Sequence, residues 1–457
     1  METRHIQHLY HRVGFGITPK SIAEMHGLQK AEIVDLLFKT SQAYNPIQID
    51  TSFLDNYAIQ DFKDKKKRKE IMKISRKKIV ALNQAWLDRI LNPTELLREK
   101  MTLFWANHFV CEDKYVLFAQ RYNNTLRENA LGDFKSFVKV ISKEPAMLKY
   151  LNNKQNKKRS PNENFARELL ELFTLGQGNY TERDIKECAR AFTGYNHTIH
   201  GDFILHKKHQ DQGLKTFMGQ TGYYDGDAII DIIVSQKQCA RFICNKIYQY
   251  FVNEKICEHH IDEMIAVFYP SYNIESLMRF VLSSEWFYSE NNIGSKIKSP
   301  IELIAGIHTT VPFDLTNKKQ GMLLQKLLGQ VLLFPPNVAG WKGGRSWIDS
   351  NTIVTRLRLP SVLLNNAQIT YSDKGGLEDD VNDLKNQRLR KKTFIKTIAK
   401  WNVFEENYEN LFPEDLITSL LATEVNTGVY ELLKESNSVS KKDFCIQLLS
   451  LPEYQLC

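Results

Sequence analysis

Residues 160–195, "SPNENFARELLELFTLGQGNYTERDIKECARAFTGY", indicate both the fold class and the candidate site. Apolar residues recur at three- and four-residue intervals, which is typical of an amphipathic helix. They are Phe165, Leu169, Leu172 and Phe173. Gly176 and Gly178 follow, and glycine is favoured just after the last helical residue. The stretch therefore predicts a helix over residues 163–175, a glycine turn and a second helix.

Capping motifs predict where the two helices begin. Ser160, Pro161 and Glu163 fit the N-cap, first and third positions of a capping box. Thr181, followed three positions later by Asp184, suggests the second start, although Asp is not the usual partner. The two helices would form a helical hairpin.

Helical patterns also dominate the rest of the 457-residue chain. We expect a mainly α fold, a large multi-helix domain over residues 1–370 with a small β-hairpin insertion near residues 195–226. Polar residues 371–392 predict a linker or mobile loop. Residues 393–457 predict a C-terminal helical extension packed on the core.

Composition limits the classes of partner and the location. The formal charge is +8, and much of it lies in "KDKKKRKEIMKISRKK", residues 63–78, which is typical of an exposed helix. No nucleic-acid partner is expected, because no recognised binding module is present. The seven cysteines form no CxxC pair and favour a reducing compartment. With no signal-peptide pattern and no membrane-span pattern, we expect a cytoplasmic protein.

The charged residues of the first helix allow two interpretations. Glu163, Arg167 and Glu171 would stack one turn apart, with Glu168 on a neighbouring stripe. They could form an exposed salt ladder. Alternatively, the carboxylates could act as acid–base groups or metal ligands.

Other candidate residues lie elsewhere in the chain. His108 follows Phe104 and Trp105 on an apolar helix, where a histidine is more often a hydrogen-bonded core residue than a ligand. Asp211 and Lys215 lie on a turn rich in ionisable residues, and such loops are better site candidates than helix faces. Phosphate-loop, zincin, hydrolase-elbow and Rossmann motifs are absent from the sequence.

Eight segments together carry a family resemblance: "HRVGFG", "LREKMTLFWANHFV", "NENFARELLELFTLG", "YTERDIKECARAFTGY", "KTFMGQTGYYDGDAIIDII", "QCARFICNKIYQYFV", "LFPPNVAGWKGGRSWI" and "LPEYQLC". These segments occur in this order, from about the first ten residues of the chain to the last ten. With them the chain resembles the bacterial family of domain of unknown function 1800, and its sequence is similar to that of Bacteroidetes members. The resemblance implies a mainly helical fold without naming a reaction.

The resemblance also marks characteristic positions: Arg12, Gly14, Trp105, His108, Asn162, Glu163, Asn164, Arg167, Glu168, Glu171, Asp184, Arg190, Gly194, Asp211, Lys215, Arg241, Lys246, Asn337, Gly340, Trp341 and Trp347. The chain departs from the family pattern at two places. Gln210 stands between His209 and Asp211, where members often have His, and Phe173 stands where some members have His. Both departures weaken a histidine-ligand role at these positions.

These patterns favour an enzyme of hydrolase type, or one using metal-assisted acid–base chemistry, on an unknown substrate. The expected catalytic residues are His108, Glu168, Glu171 and Asp184. The expected substrate-binding residues are Arg167, Arg190, Lys215, Asn164, Trp341 and Trp347. A divalent metal is the candidate cofactor, with candidate ligands Glu168, Glu171, His108 and Asp211.

The alternative is a non-enzymatic binding or assembly protein, in which the charged cluster is a structural ion-pair network. A saccharide-binding form of this alternative would use Trp341 and Trp347 as stacking surfaces. In either case we expect a small-molecule or saccharide ligand. We also expect the tryptophan loop to pack over the mouth of the helical pocket.

Overall fold

Amphipathic helices form most of the described chain, as the apolar spacing predicts. The computed structural model describes residues 1–350, 352–367, 395–435 and 440–457. The predicted linker at residues 371–392 lies outside the described residues.

The helices before the first strand belong to the N-terminal half of the chain. They are α1 (Thr3–Val13), α2 (Pro19–Glu24), α3 (Lys30–Thr40), α4 (Lys65–Leu91), α5 (Leu96–His108), α6 (Val116–Glu128), α7 (Phe134–Ile141), α8 (Pro145–Tyr150), α9 (Asn164–Glu168) and α10 (Glu182–Ala191). Between α9 and α10 the chain forms a π-helical segment, Leu169–Thr174. The predicted basic helix is the mostly exposed first half of α4.

The later helices follow the β-hairpin region and continue to the last residues of the chain. They are α11 (Gly226–Val234), α12 (Lys237–Phe251), α13 (Glu258–Phe268), α14 (Ile274–Ser283), α15 (Pro300–Thr310), α16 (Lys318–Leu328), α17 (Thr352–Asn365), α18 (Trp401–Asn407), α19 (Pro413–Leu420), α20 (Thr427–Glu435) and α21 (Lys441–Leu449). Mainly α is therefore confirmed as the fold class.

Three small antiparallel sheets interrupt the helices in the described part of the chain. The expected single insertion consists of two hairpins, β1 (Tyr195–His197) with β2 (Phe203–Leu205) and β3 (Lys215–Phe217) with β4 (Gln220–Gly222). A third sheet was not expected from the sequence. It pairs β5 (Phe313–Leu315) with β6 (Thr397–Ala399), with Asp314 opposite Ile398.

Two apolar clusters form the core. The first surrounds Trp105 of α5, which is fully buried among residues that run from α1 to α14. The second joins Trp86 of α4 to Leu363 of α17 and Phe444 of α21. Residues beyond 393 therefore share a core with earlier helices. The proposed domain boundaries stay a prediction.

No helix of the described residues is both long enough and apolar enough to cross a membrane. All seven cysteines are unpaired thiols. The cytoplasmic location stays a prediction.

Candidate functional site

The helix predicted over residues 163–175 is not a continuous α-helix. It is α-helical only over Asn164–Glu168 and then widens into the π-helical segment. The amide of Leu175 donates to the carbonyl of Leu170 across 2.9 Å, five residues back. π-Helical turns are rare and occur often at functional sites. This π-helical turn changes the direction of the side chains after Glu168. The side chain of Glu171 therefore does not stack one turn after Arg167, as the sequence predicted.

The predicted capping box at Ser160 is also wrong. The helix begins at Asn164, and the Ser160 amide instead donates to the carbonyl of Lys157 across 2.8 Å. The Asn162 side chain accepts the Asn164 amide at 3.1 Å, and Asn156 accepts the Asn162 amide at 3.0 Å. Asparagine side chains that bind nearby amides compete with helix formation, which explains the later start.

Arg167 forms an exposed ion pair across the helical hairpin. It donates two hydrogen bonds to Glu182, each 3.0 Å long, and lies 3.5 Å from Glu163. Its hydrogen bonds lower the pKa of Glu182. Within the described residues Arg167 has no ion pair with Glu171, so the expected ladder exists only in its first half.

Glu171 and Glu168 lie close to two tyrosines. Glu171 accepts a hydrogen bond of 2.8 Å from the Tyr180 hydroxyl. Burial and this hydrogen bond raise the pKa of Tyr180 to about 12. Burial also raises the pKa of Tyr150 to about 12, and the charge of Glu168 contributes. The two carboxyl groups and two phenols therefore share one electrostatic environment.

Glu168 differs from the other candidate carboxylates. It is half-buried, and among the described residues its carboxyl group has no hydrogen-bond or ion-pair partner. Burial, and then the nearby charge of Glu171, raise its pKa above the ordinary value. A carboxyl group of raised pKa and free hydrogen-bonding capacity can both donate and accept a proton.

Asp184 forms the predicted cap of α10. Thr181 and Asp184 bind each other's amides at 2.9 and 3.2 Å, which confirms this capping box. The other Asp184 oxygen accepts the amide of Met218 at 2.7 Å, in the turn between β3 and β4. Burial alone would raise the pKa of Asp184, but these hydrogen bonds outweigh it and the pKa lies below its usual value. Asp184 thus joins α10 to the hairpin.

Arg190 and Asp211 form a two-point ion pair. The guanidinium donates to the two Asp211 oxygens at 2.8 and 3.2 Å, and to Glu187 at 2.8 and 3.0 Å. Buried Lys215 lies 3.7 Å from Asp211 and donates to the carbonyls of Asp211 and Gly213. Burial lowers the pKa of Lys215. These contacts hold β3 against α10. The charges of Arg190, Asp211 and Lys215 are therefore already paired within the protein.

His108 lies in an aromatic environment at the end of α5. Its neighbouring rings are Phe104, Trp105, Phe109, Phe134, Phe173 and Phe242. Its Nε2 donates to the carbonyl oxygen of Phe173 at 3.0 Å. Burial, and then the charge of Lys246, lower its pKa to about 3, so the ring is neutral. No described contact joins His108 to Glu168 or Glu171.

The tryptophan loop packs against the end of α5. The Asn107 side chain accepts the Trp341 amide at 2.7 Å and donates to its carbonyl at 3.0 Å. Trp341 is 6% exposed and Trp347 is 9% exposed. Buried rings offer no free face on which a sugar could stack.

The remaining candidates do not form a metal site in the described part of the chain. No group of three or more His, Cys, Asp or Glu side chains in that part could hold a metal ion. The candidate ligands Glu168, Glu171, His108 and Asp211 thus form no joint ligand set. The Asn164 side chain is exposed at the start of α9.

A cavity of about 240 Å³ lies beside Phe15, Asn92 and His308. None of the candidate residues lines it.

Sequence reasoning missed Tyr180, Asn107 and Asn156. Tyr180 binds Glu171 across the glycine turn, and Asn107 binds a loop more than two hundred residues away. Asn156 connects three chain segments through Asn162, Ala189 and Gly194. No helical or strand period indicates such contacts.

Comparison with known families gives one match, which covers nearly the whole chain. The family described as "Protein of unknown function (DUF1800)" matches residues 8–456. Neither the curated proteins nor the solved structures give a match. The closeness to Bacteroidetes members stays a prediction.

Proposed function

The chain belongs to the DUF1800 family of proteins of unknown function, and we propose that it is a hydrolase-type enzyme in which Glu168 transfers the proton. The observation that carries the proposal is the raised pKa and the unpaired carboxyl group of Glu168. Its half-buried carboxyl group has a raised pKa and no hydrogen-bond partner among the described residues. An ionisable group with a shifted pKa and no structural partner is a candidate acid–base group.

Glu171, Tyr180 and Tyr150 have supporting roles in this proposal. Tyr180 fixes Glu171, whose charge favours the protonated form of Glu168. The raised pKa values keep the hydroxyl groups of Tyr180 and Tyr150 protonated at neutral pH, so both can donate hydrogen bonds. Hydrolysis suits this set, because water attack needs one group to accept a proton and one to donate it.

Arg167 is the one candidate cation at this position. It lies next to Glu168 in the chain, and its ion pair with Glu182 is exposed, so an anionic substrate group can replace Glu182 as its partner. We assign no substrate role to Arg190 or Lys215, since both are paired within the hairpin region.

A second candidate is a non-enzymatic binding or assembly protein. A specific observation favours it: His108, Asp184, Arg190, Asp211 and Lys215 all serve packing between chain segments. In that case Glu168 would be one further surface carboxylate.

Carboxyl-carbon NMR of glutamate-labelled protein tests the proposed state of Glu168. The resonance lost in Glu168→Gln identifies the group. We expect its titration midpoint above the ordinary value of about 4.3. A midpoint at or below that value would remove the basis of the proposal.

Hydrolysis of a panel of carboxylic esters, phosphate esters and glycosides tests the activity. We expect Glu168→Gln to reduce the rate on any accepted substrate by about 10²-fold or more. Glu258→Gln is the matched control, because it removes an exposed carboxylate whose partner, Arg241, has no role in the proposal. Equal rates in Glu168→Gln and wild type, or no turnover of any substrate class, would favour the second candidate.

A further inference from the structure

The cavity of about 240 Å³ lies at the junction of three helices, where α4 ends, α5 begins and α15 ends. Five apolar residues form most of its wall: Phe15, Leu91, Pro93, Leu96 and Pro312. An apolar cavity of about 150 Å³ is large enough to bind benzene. This larger cavity, which we call the His308 cavity, therefore has room for a small organic molecule.

Three polar side chains complete the wall of the His308 cavity: Asn92, His308 and Thr309. Asn92 is exposed and Thr309 is half-buried, whereas His308 is only 5% exposed. Binding sites for small molecules typically combine apolar walls with a few polar groups that orient the ligand. The His308 cavity has this composition.

Phe313 fixes the imidazole ring of His308. The Phe313 amide donates to His308 Nδ1 at 3.3 Å, and the two rings pack edge to face with their centres 4.9 Å apart. Burial, and then the charge of Lys400, lower the pKa of His308 to about 4, so the ring is neutral at pH 7. Because Nδ1 accepts a hydrogen bond, the single proton of the neutral ring lies on Nε2.

The Nε2 proton of His308 has a weak partner within the protein. Nε2 donates to Asn92 Oδ1 at 3.3 Å, which is longer than the usual distance of about 2.9 Å. The Thr309 hydroxyl donates to the carbonyl of Ala305 at 3.0 Å, and its oxygen keeps lone pairs that can accept. The cavity thus offers a ligand one donor and one acceptor from neighbouring positions of α15.

The surroundings of the cavity are electrically neutral. In the part of the chain that the structure describes, no charged side chain lines it. The charges that act on His308 are those of Lys400 and Asp314, which pair with each other at 2.9 Å. Moving a charged group from water into such a site without a counter-charge is costly. The cavity therefore favours an uncharged ligand.

We propose that the His308 cavity binds a small uncharged molecule that has an apolar body and one hydroxyl group. A hydroxyl group both accepts and donates, so it can accept the Nε2 proton of His308 and donate to the Thr309 oxygen. The apolar body would lie against Phe15 and Leu96. The inference is independent of the Glu168 proposal, since no residue of that proposal lines the cavity.

NMR of histidine-labelled full-length protein at pH 7.5 tests the site, with benzyl alcohol as the probe. The imidazole resonance lost in His308→Asn identifies His308. We expect a saturating shift of this resonance as benzyl alcohol is added. No saturating shift would overturn the proposal.

Two analogues of the probe test the chemical class of the ligand. Toluene lacks the hydroxyl group and should bind about threefold to tenfold more weakly, which is the effect of one hydrogen bond. Benzoate is charged and should not shift the His308 resonance over the same concentration range. Equal affinity for toluene, or benzoate binding as tight as that of benzyl alcohol, would contradict the proposed class.

Variants locate the binding, with affinity measured by ligand-detected NMR of benzyl alcohol. His308→Asn keeps an acceptor for the Phe313 amide but removes the Nε2 donor, and it should weaken the affinity by about threefold to tenfold. Thr309→Val keeps the shape of the side chain and removes its oxygen. It should also weaken the affinity, and it provides the test if His308→Asn does not fold.

Thr40→Val is the matched control for Thr309→Val. The Thr40 hydroxyl also donates to a carbonyl four residues back, that of Leu36 at 3.0 Å, but Thr40 does not line the cavity. Its variant should bind benzyl alcohol as wild type does, and so should Glu168→Gln. Unchanged affinity in Thr309→Val, or an equal loss in Thr40→Val, would contradict the assignment to the His308 cavity.

Discussion

His108 donates its Nε2 hydrogen to the carbonyl oxygen of Phe173 across 3.0 Å, which joins the end of α5 to the π-helical segment. The acceptor lies near the end of that segment, where backbone carbonyls lack helical partners. The other ring nitrogen, Nδ1, is buried without a partner among the described residues. His108 thus positions the segment that carries Glu171, and it does so as a neutral ring.

The first prediction concerns the pH dependence that His108 causes. Its pKa is about 3 in the folded protein and about 6.5 when unfolded, so the unfolded state binds the extra proton. Stability should therefore fall as pH decreases below about 6.5. His108→Gln, measured by chemical denaturation at pH 7.5 and 5.5, should lose less stability over this interval than wild type. His259→Gln, at an exposed position, is the control, and its loss of stability between these two pH values should equal that of wild type.

The second prediction concerns the stability cost of Glu168. Because its pKa is raised in the folded protein, ionisation above that pKa disfavours folding. Glu168→Gln should be as stable as wild type or more stable at pH 8, and this advantage should vanish at acid pH. Thermal melts across this range check it. Destabilisation at pH 8 would show that the carboxylate has a stabilising partner.

The third prediction concerns Arg167, whose guanidinium is exposed. Arg167→Met should cost roughly 1 kcal/mol or less, since solvent screens an exposed pair. A double-mutant cycle with Glu182→Gln measures the pair itself. A loss several times larger would indicate a buried role for Arg167.

The fourth prediction concerns the ion pairs of the hairpin. Asp211→Asn should cost about 1.5–3 kcal/mol, because it removes charged hydrogen bonds from Arg190 and leaves buried Lys215 without its carboxylate. Asp262→Asn is the matched control, as its pair with Arg241 is exposed and should matter little. Equal costs in urea unfolding would argue against a structural network at Asp211.

The fifth prediction concerns the tryptophan loop. Asn107→Ala removes both hydrogen bonds to the Trp341 backbone, at a cost of about 1–3 kcal/mol. Hydrogen exchange of the Trp341 amide should accelerate in this variant. Unchanged protection would mean that ring burial alone holds the loop.

The local features of the fold could be predicted from the sequence. Apolar spacing predicted the mainly helical fold, and the Thr181–Asp184 pair marked the start of α10. The glycines after Leu175 end the π-helical segment with positive φ angles of 83° and 84°. These features depend on residues within one or two turns, so their physical cause is visible in a short stretch of chain.

Tertiary contacts determined the features of the fold that the sequence did not predict. The sequence predicted one α-helix through Glu171, but the described chain widens into a π-helix, where the Leu175 amide donates to the carbonyl of Leu170, five residues back. The Thr174 hydroxyl also donates to the carbonyl of Leu169. Arg167 binds Glu182 rather than Glu171, because the glycine turn brings α10 alongside. Sequence spacing cannot distinguish such alternatives, since each candidate partner is chemically equivalent.

The candidate functional residues show the same division between what the sequence determines and what the tertiary structure determines. The sequence by itself selected His108, Asp184, Arg190 and Asp211 as chemically capable residues, and the tertiary structure engages each of them in packing. It left Glu168 half-buried with no partner among the described residues, and it brought Arg12, Lys298 and Arg356 together from distant segments. Residue type sets what a group can do, but burial and long-range partners set its charge and its freedom to react.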